Sequence, residues 1–319
     1  MRTRHVVLIV IYKFTMILKL RLTIFFILVV TGMISCQYHE KCPPSHLTSF
    51  SVMSFNVGDT NWSFPSADQI SQVIRETGPP DILLLQEVRG ERQVEQLSQM
   101  LNYPNYIAVP YKSQRRVCLA ILSMFPIDHP DYLYFTSSSQ GSGALCSVVN
   151  VGGVPILVCS VHLDQIPSKR RLKNGYVDQT VEHTAHQLRD EIFGDTVRSR
   201  SAAELIAWIQ KKGYPSIIIG GDFNTIPFSK AVMAMDAAFE DALWPSIDYF
   251  TGTYFKINSP LLPRVDYIFH SSDLKAYDPK VIKNSPGDHY PVRAKFKSRI
   301  NNTVSSIQYP VLKMKSGNS

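Results

Sequence analysis

The sequence predicts an α/β protein of the α+β type, a mixed sheet covered by helices. Three observations predict it. Short, very apolar runs bounded by turn residues recur along the chain: Ser51–Phe55, Ile82–Leu85, Ile217–Ile219 and Val265–Phe269. Runs of that length and character are buried strands. Amphipathic segments with start and stop signals alternate with them, and such helices cover sheet faces. A Gly152-Gly153 turn between two apolar runs makes an antiparallel hairpin, so the sheet is mixed.

Taken in order, residues 37–48 form a short tether ending past Pro43-Pro44. Ala67–Thr77 is a helix, started by Pro65-Ser66 and stopped by Pro79-Pro80. Arg92–Leu101 is a second helix and Val117–Ser123 a strand. Leu145–Val151 then pairs with Val154–Val161. In that register Asn150 and Pro155 form a non-hydrogen-bonded pair, which suits a residue without an N–H. Cys146 and Cys159 fall at another such pair, with Cα atoms ~4.5 Å apart and within disulfide range. A disulfide and two reduced core cysteines both fit, and the reading leans to the reduced pair. The absence of a Cys-x-x-Cys argues against zinc and thioredoxin-type chemistry. From Pro167 to Gly194 the chain turns polar, with Lys169, Arg170 and Arg171, and reads as a long functional loop. Ser199–Lys212 is an amphipathic helix with Leu205, Ile206 and Ile209 inward, and Ala231–Ala237 is helical. The domain runs over residues 49–297, and 298–319 read as a poorly ordered tail.

The 319 residues suffice for one large core or two small ones. With 45% hydrophobic and 18% charged residues the chain is globular. Its formal charge of +7 comes from the ends. Residues 1–36 carry five basic residues and no acid, residues 297–319 carry four and no acid, and the stretch between them sums to −2. Global charge therefore gives no support for nucleic-acid binding.

The N-terminus reads as a targeting segment. Leu22–Val30 is an apolar run behind Lys19 and Arg21, and Gly32-Met33-Ile34-Ser35-Cys36 follows it. Residues 1–36 are expected to be a secretory signal, with Cys36 as a lipidation site of the lipoprotein kind. Plain secretion and a retained anchor are the alternatives. Translation from Met16 would give a signal of ordinary length. The expected location is exported, membrane-tethered through the N-terminus or secreted, with the chain a monomer.

Several of the apolar runs deliver polar residues at their ends. Asn56 follows the first, Glu87 the second and Asp222 and Asn224 the third; Asp266 lies within the fourth, and Asp288-His289 comes shortly after it. A strand end positions such groups rigidly at a sheet rim. Oxygen donors of this kind suit Mg²⁺ or Mn²⁺ better than zinc.

The segments Ser54-Phe55-Asn56-Val57, Leu85-Gln86-Glu87-Val88, Ser160-Val161-His162-Leu163, Gly221-Asp222-Phe223-Asn224, Arg264-Val265-Asp266-Tyr267-Ile268 and Gly287-Asp288-His289-Tyr290-Pro291-Val292 together resemble the endonuclease/exonuclease/phosphatase superfamily, in its order. The resemblance implies a four-layer α/β/β/α sandwich of two mixed sheets with helices on both outer faces. It implies a divalent-metal-dependent hydrolase of phosphodiester or phosphomonoester bonds. Asn56, Glu87 and Asp288 would serve the metal. Asp222 would orient the attacking water, Asn224 would donate to the phosphoryl oxygens, and His289 would act with Asp266 as its orienting partner. His162 would contact phosphate or donate a proton. His183 and His186 have helical spacing and read as a solvated face. Two positions depart from the family pattern: Gly287 stands where Ser is common, and Gly58 where some nucleases carry a second acid.

The substrate classes expected are nucleic acid, with Lys169, Arg170 and Arg171 as candidate contacts, and a phospholipid head group. The second would need an apolar loop beside the site, for which Tyr249-Phe250 and Tyr254-Phe255 are candidates. A non-catalytic binding protein on the same fold is the third reading. It is disfavoured because none of these positions carries an inert residue.

Overall fold

The computed structural model describes residues 47–58, 64–112, 116–165, 170–171, 177–178, 181–255 and 263–299. Two six-stranded mixed sheets dominate it. The first contains β1 (Leu47–Asn56), β2 (Ile82–Val88), β3 (Asn105–Pro110), β4 (Cys118–Ser123), β13 (Leu274–Val281) and β14 (Val292–Arg299), in spatial order β13-β14-β1-β2-β4-β3. The second contains β5 (Ile127–Tyr134), β6 (Gly143–Val151), β7 (Val154–His162), β10 (Ile217–Asp222), β11 (Glu240–Asp241) and β12 (Asp266–His270), in order β11-β12-β10-β7-β6-β5. A two-residue ribbon pairs β8 (Arg170–Arg171) with β9 (Val177–Asp178). Among the described residues five α-helices accompany the sheets: α1 (Ala67–Thr77), α2 (Gly90–Leu101), α3 (Val181–Phe193), α4 (Val197–Gln210) and α5 (Lys230–Ala238).

Side-chain alternation along each strand explains the layers. Val52, Ile82, Leu84, Leu145, Val158, Ile218 and Ile268 face inward and form one core between the sheets. Their neighbours Met53, Phe55, Leu83 and Leu85 face outward and are covered by Ile70, Ile74 and Val94 of α1 and α2. On the other side Leu157, Val161, Ile219 and Phe269 lie under Leu205 and Ile209 of α4 and Val232 and Met235 of α5. A strand covered on both faces needs apolar residues at every position, which is why these runs lack alternation. The result is the four-layer sandwich.

Local signals hold the helices in place. Ser66 and Gln69 form a capping box at α1, Thr196 caps α4 and Ser229 caps α5. The hairpin register is as read from the turn, with Asn150 opposite Pro155 and Cys146 opposite Cys159. The two cysteines form a disulfide, with Cα atoms 4.1 Å apart, which corrects the leaning towards a reduced pair.

Other expectations need correction. The polar stretch read as a loop contains α3, whose Glu191 is buried in an ion pair with Arg198. Glu191, within the stretch read as a polar loop, is there a buried helix contact. β1 begins at Leu47, inside the expected tether, because Leu47 and Thr48 pair with Arg299 and Ser298. For the same reason β14 runs past residue 297. Cys36, the apolar run Leu22–Val30 and Lys169 lie outside the described residues. Among the described residues no helix is long and apolar enough to cross a membrane.

Candidate active site

The register of the second sheet builds half of the site. Asp222 at the end of β10 pairs with His162 on β7 to one side and with Asp266 on β12 to the other. The first sheet supplies the rest, since β1 and β2 run parallel and end together with Asn56 opposite Gln86. The seam between the sheets is closed by Asn56, whose Nδ2 donates to Asp222 Oδ2 at 3.0 Å and to Glu87 Oε1 at 3.2 Å. The Asn56 Oδ1 accepts from the Gly58 N–H at 3.0 Å. Asn56 thus points its nitrogen at the carboxylates and organises them.

Glu87 has φ 57°, and its N–H donates to the Tyr111 hydroxyl at 3.2 Å. Left-handed backbone at a residue other than glycine costs on the order of 1 kcal/mol or more and persists where the surroundings impose it. Glu87 Oε1 lies 3.5 Å from His162 Nε2, and among the described residues neither Arg89 nor Arg92 pairs with it. Asn224, φ 49°, donates from Nδ2 to the Leu163 carbonyl at 2.9 Å and lies 3.0 Å from His162 Nε2. Its own N–H donates to Asp222 Oδ1 at 2.8 Å.

The opposite wall is the pair of Asp266 and His289, with Oδ2 2.8 Å from Nδ1. His289 Nε2 then faces Asp222 Oδ2 at 3.7 Å. Burial alone would lower the His289 pKa, but the Asp266 and Asp222 carboxylates outweigh it and push it up to about 10. Burial would raise Asp222, and the two histidines more than offset this and hold it below its usual value. For His162, burial opposes ionisation, and the hydrogen bond and charge of Asp222 raise its pKa nonetheless. Arg264, two residues before Asp266, binds Asp241 through two bonds of 2.8 and 2.6 Å and leaves Asp266 to His289. Asp288 is buried beside the ring, with Oδ1 4.0 Å from His289 Nε2.

The ligand atoms of Glu87, His162 and Asp222 lie within 4.8 Å of one another, as do those of Asp222, Asp266 and His289. Asp288 belongs to neither cluster. The four carboxylates outnumber the two imidazoles, so the site stays anionic even with both rings protonated. That charge and the carboxylate oxygens fit a hard divalent cation. The two glycines that break the family pattern are packed together. A Cβ on Gly58 would sit 2.1 Å from Glu87 Oε2, and one on Gly287 would sit 2.4 Å from the Gly58 carbonyl oxygen. A second acid at position 58 therefore has no room while Glu87 keeps its place.

Sequence reasoning missed Tyr111, whose ring lies 5.4 Å from that of His162. It also missed Thr253, whose hydroxyl accepts from the Val265 and Asp266 N–H groups at 2.9 and 3.0 Å. Both sit in irregular segments with no motif around them, so no local signal marks them. Backbone pairing places Arg170 and Arg171 opposite Asp178 and Val177. His186 is an exposed residue of α3.

A model of the Endonuclease/Exonuclease/phosphatase family matches residues 53–289. No curated protein matches the chain in sequence. Among solved structures, an endonuclease/exonuclease/phosphatase family protein from Bacteroides thetaiotaomicron is 19% identical, with TM-score 0.59 over 80% of this chain and 100% of that one. A mannosyl-6-phosphatase from Bacteroides thetaiotaomicron is 18% identical, with TM-score 0.59 over 77% and 99%. The human Nocturnin catalytic domain is 16% identical, with TM-score 0.58 over 79% and 96%. Identities this low show a shared fold and no more. The family match spans most of the chain and covers every residue of the cluster, so the protein belongs to the endonuclease/exonuclease/phosphatase family and is a phosphoester hydrolase.

Proposed function

We propose that this protein is a divalent-metal-dependent phosphodiesterase of the nuclease type, exported from the cytoplasm. The observation that carries the reaction is the convergence of Glu87, Asp222 and His162 on one point, faced by the Asp266–His289 pair. A phosphodiester resists hydrolysis because its anionic oxygens repel the nucleophile. A divalent ion held by Glu87, with help from Asp222, would neutralise that charge and polarise the phosphoryl oxygen. Asp222 orients the attacking water and accepts its proton. Asn224 donates its amide to a phosphoryl oxygen, and His162 contacts the same group. His289, held protonated by Asp266, stabilises the charge that develops on phosphorus or the leaving oxygen. Asp288, outside both clusters, assists that side of the site.

Export is supported by the apolar run Leu22–Val30 behind two basic residues, and by the disulfide, since such bonds persist in oxidising compartments. Cys36 is the proposed lipid-bearing residue of the mature chain. Mass spectrometry of the purified native protein checks it, and a mature start at any other residue would refute it.

A second reading, a lipid-directed phosphodiesterase, is favoured by one observation. Trp244, Ile247 and Phe250 are 55%, 93% and 71% exposed on the turn that leads into Thr253 and Tyr254. An exposed apolar cluster beside a phosphoesterase site suits an interfacial substrate. A panel of plasmid DNA, RNA, sphingomyelin and phosphoinositides with added Mg²⁺ or Mn²⁺ separates the readings, with Asp222→Ala as the blank. Turnover of nucleic acid alone supports the first, and turnover of lipid alone replaces it with the second.

A further inference from the structure

A buried ion pair lies behind the site. Glu191 on α3 and Arg198 in the first turn of α4 are 2% and 6% exposed. Arg198 Nε donates to Glu191 Oε2 at 3.0 Å, and the second guanidinium nitrogen, Nη2, is bonded to Oε1. Two further hydrogen bonds leave the pair in different directions. Arg198 Nη1 donates to the Asp164 carbonyl at 3.0 Å, two residues past His162. Thr225 Oγ1 donates to Glu191 Oε2 at 2.8 Å, directly after Asn224.

Both turns are anchored from their other sides. The Asp164 carboxylate accepts from the Ser139 N–H at 3.0 Å, and the Thr225 carbonyl accepts from the Tyr267 hydroxyl at 3.0 Å. Between them Asn224 Nδ2 reaches the Leu163 carbonyl and the His162 ring. A buried ion pair loses much of its Coulomb energy to desolvation, so it is weak evidence for stability. One whose spare hydrogen bonds all go to two particular turns acts by placing those turns.

We propose that the Glu191–Arg198 pair is a positioning device that locks the turn following His162 against the turn carrying Asn224, and so sets the spacing of the two groups that meet the phosphoryl oxygens. The assignment rests on the proposed roles of His162 and Asn224. The pair touches no substrate and no candidate metal ligand. Glu87, the residue proposed to hold the metal, lies outside this network, so loosening the pair should lower turnover more than it weakens metal binding.

The test compares Thr225→Val, Arg198→Lys and Glu191→Gln in the full protein with the wild type. Thr225→Val is nearly isosteric and removes one bond, so it remains informative if the other two fail to fold. The readouts are kcat, KM, the Mn²⁺ dissociation constant from calorimetry and the His162 imidazole resonances. Thr225→Val and Arg198→Lys are expected to lose on the order of 10-fold in kcat, as a sub-ångström misplacement of reacting groups does. Manganese affinity should fall less than kcat does, and the His162 resonances should shift. Unchanged kcat and unchanged His162 resonances, with only a lower melting temperature, would reduce the pair to a structural contact and overturn the proposal. If the wild type hydrolyses nothing in the panel, the functional reading fails by itself. The positioning claim then stands or falls on the His162 resonances of Thr225→Val.

Discussion

The 2.8 Å contact between Asp266 Oδ2 and His289 Nδ1 is the basis for proposing that the two act as a unit. Each single alanine variant should lose on the order of 10²-fold or more in rate. The double variant should be little worse than His289→Ala, because partners in one interaction do not lose independently. Additive losses would separate them. The same pair predicts a pH dependence of stability in the metal-free protein. The folded His289 titrates near 10 against a reference value of 6.5. A raised pKa stabilises the fold fully below the unfolded value, and that contribution is lost as pH rises towards 10. Denaturant titrations in chelator should show wild-type stability falling between those limits by up to about 1.4 kcal/mol per pH unit. His289→Gln should lack that slope, and equal slopes in both would refute the ionisation state. Gly58→Ala tests the close packing. Its methyl would overlap Glu87 Oε2, 2.1 Å away, so calorimetry should show Mg²⁺ affinity reduced by 10-fold or more in a protein that still folds.

At the scale of elements, legibility followed the physics of burial. β1, β2, β10 and β12 are covered on both faces, and their unbroken apolar runs announced them. β5 and β13 each cover the core with one face only and carry Asp, His, Lys and Pro in their middles, so no run marked them. α3 was lost because its polar composition resembled a loop and the buried Glu191 gave no apolar periodic signal. The site residues were legible wherever a strand end carried them. Tyr111, Thr253 and the Glu191–Arg198 pair were not, because tertiary contact alone brings them to the site. The hairpin allowed both redox states of its cysteines, and only the three-dimensional geometry distinguishes them. The cross-link closes a separation of 13 residues, so replacing both cysteines with alanine should lower unfolding free energy by roughly 2–4 kcal/mol. Urea unfolding measures this, and an unchanged midpoint would show the disulfide to be dispensable.

Across the whole molecule, two sheets stack so that the rims of β1, β2, β7, β10 and β12 meet at one end. Asn56 ties the seam with one hydrogen bond to each sheet's carboxylate, and Ser160 ties it again behind, accepting from Gln86 Nε2 at 3.0 Å and donating to the Leu85 carbonyl at 2.9 Å. Binding in the site therefore depends on the sandwich staying packed, which links stability to the geometry of the site. The test closest to the central claim is hydrolysis of the substrate panel before and after chelation, with Mg²⁺ or Mn²⁺ then restored. We expect the wild type to lose its activity in excess chelator and regain it with either ion, while Glu87→Ala and Asp222→Ala stay inactive throughout. Full wild-type activity in chelator, or substantial activity in Asp222→Ala, would contradict the account.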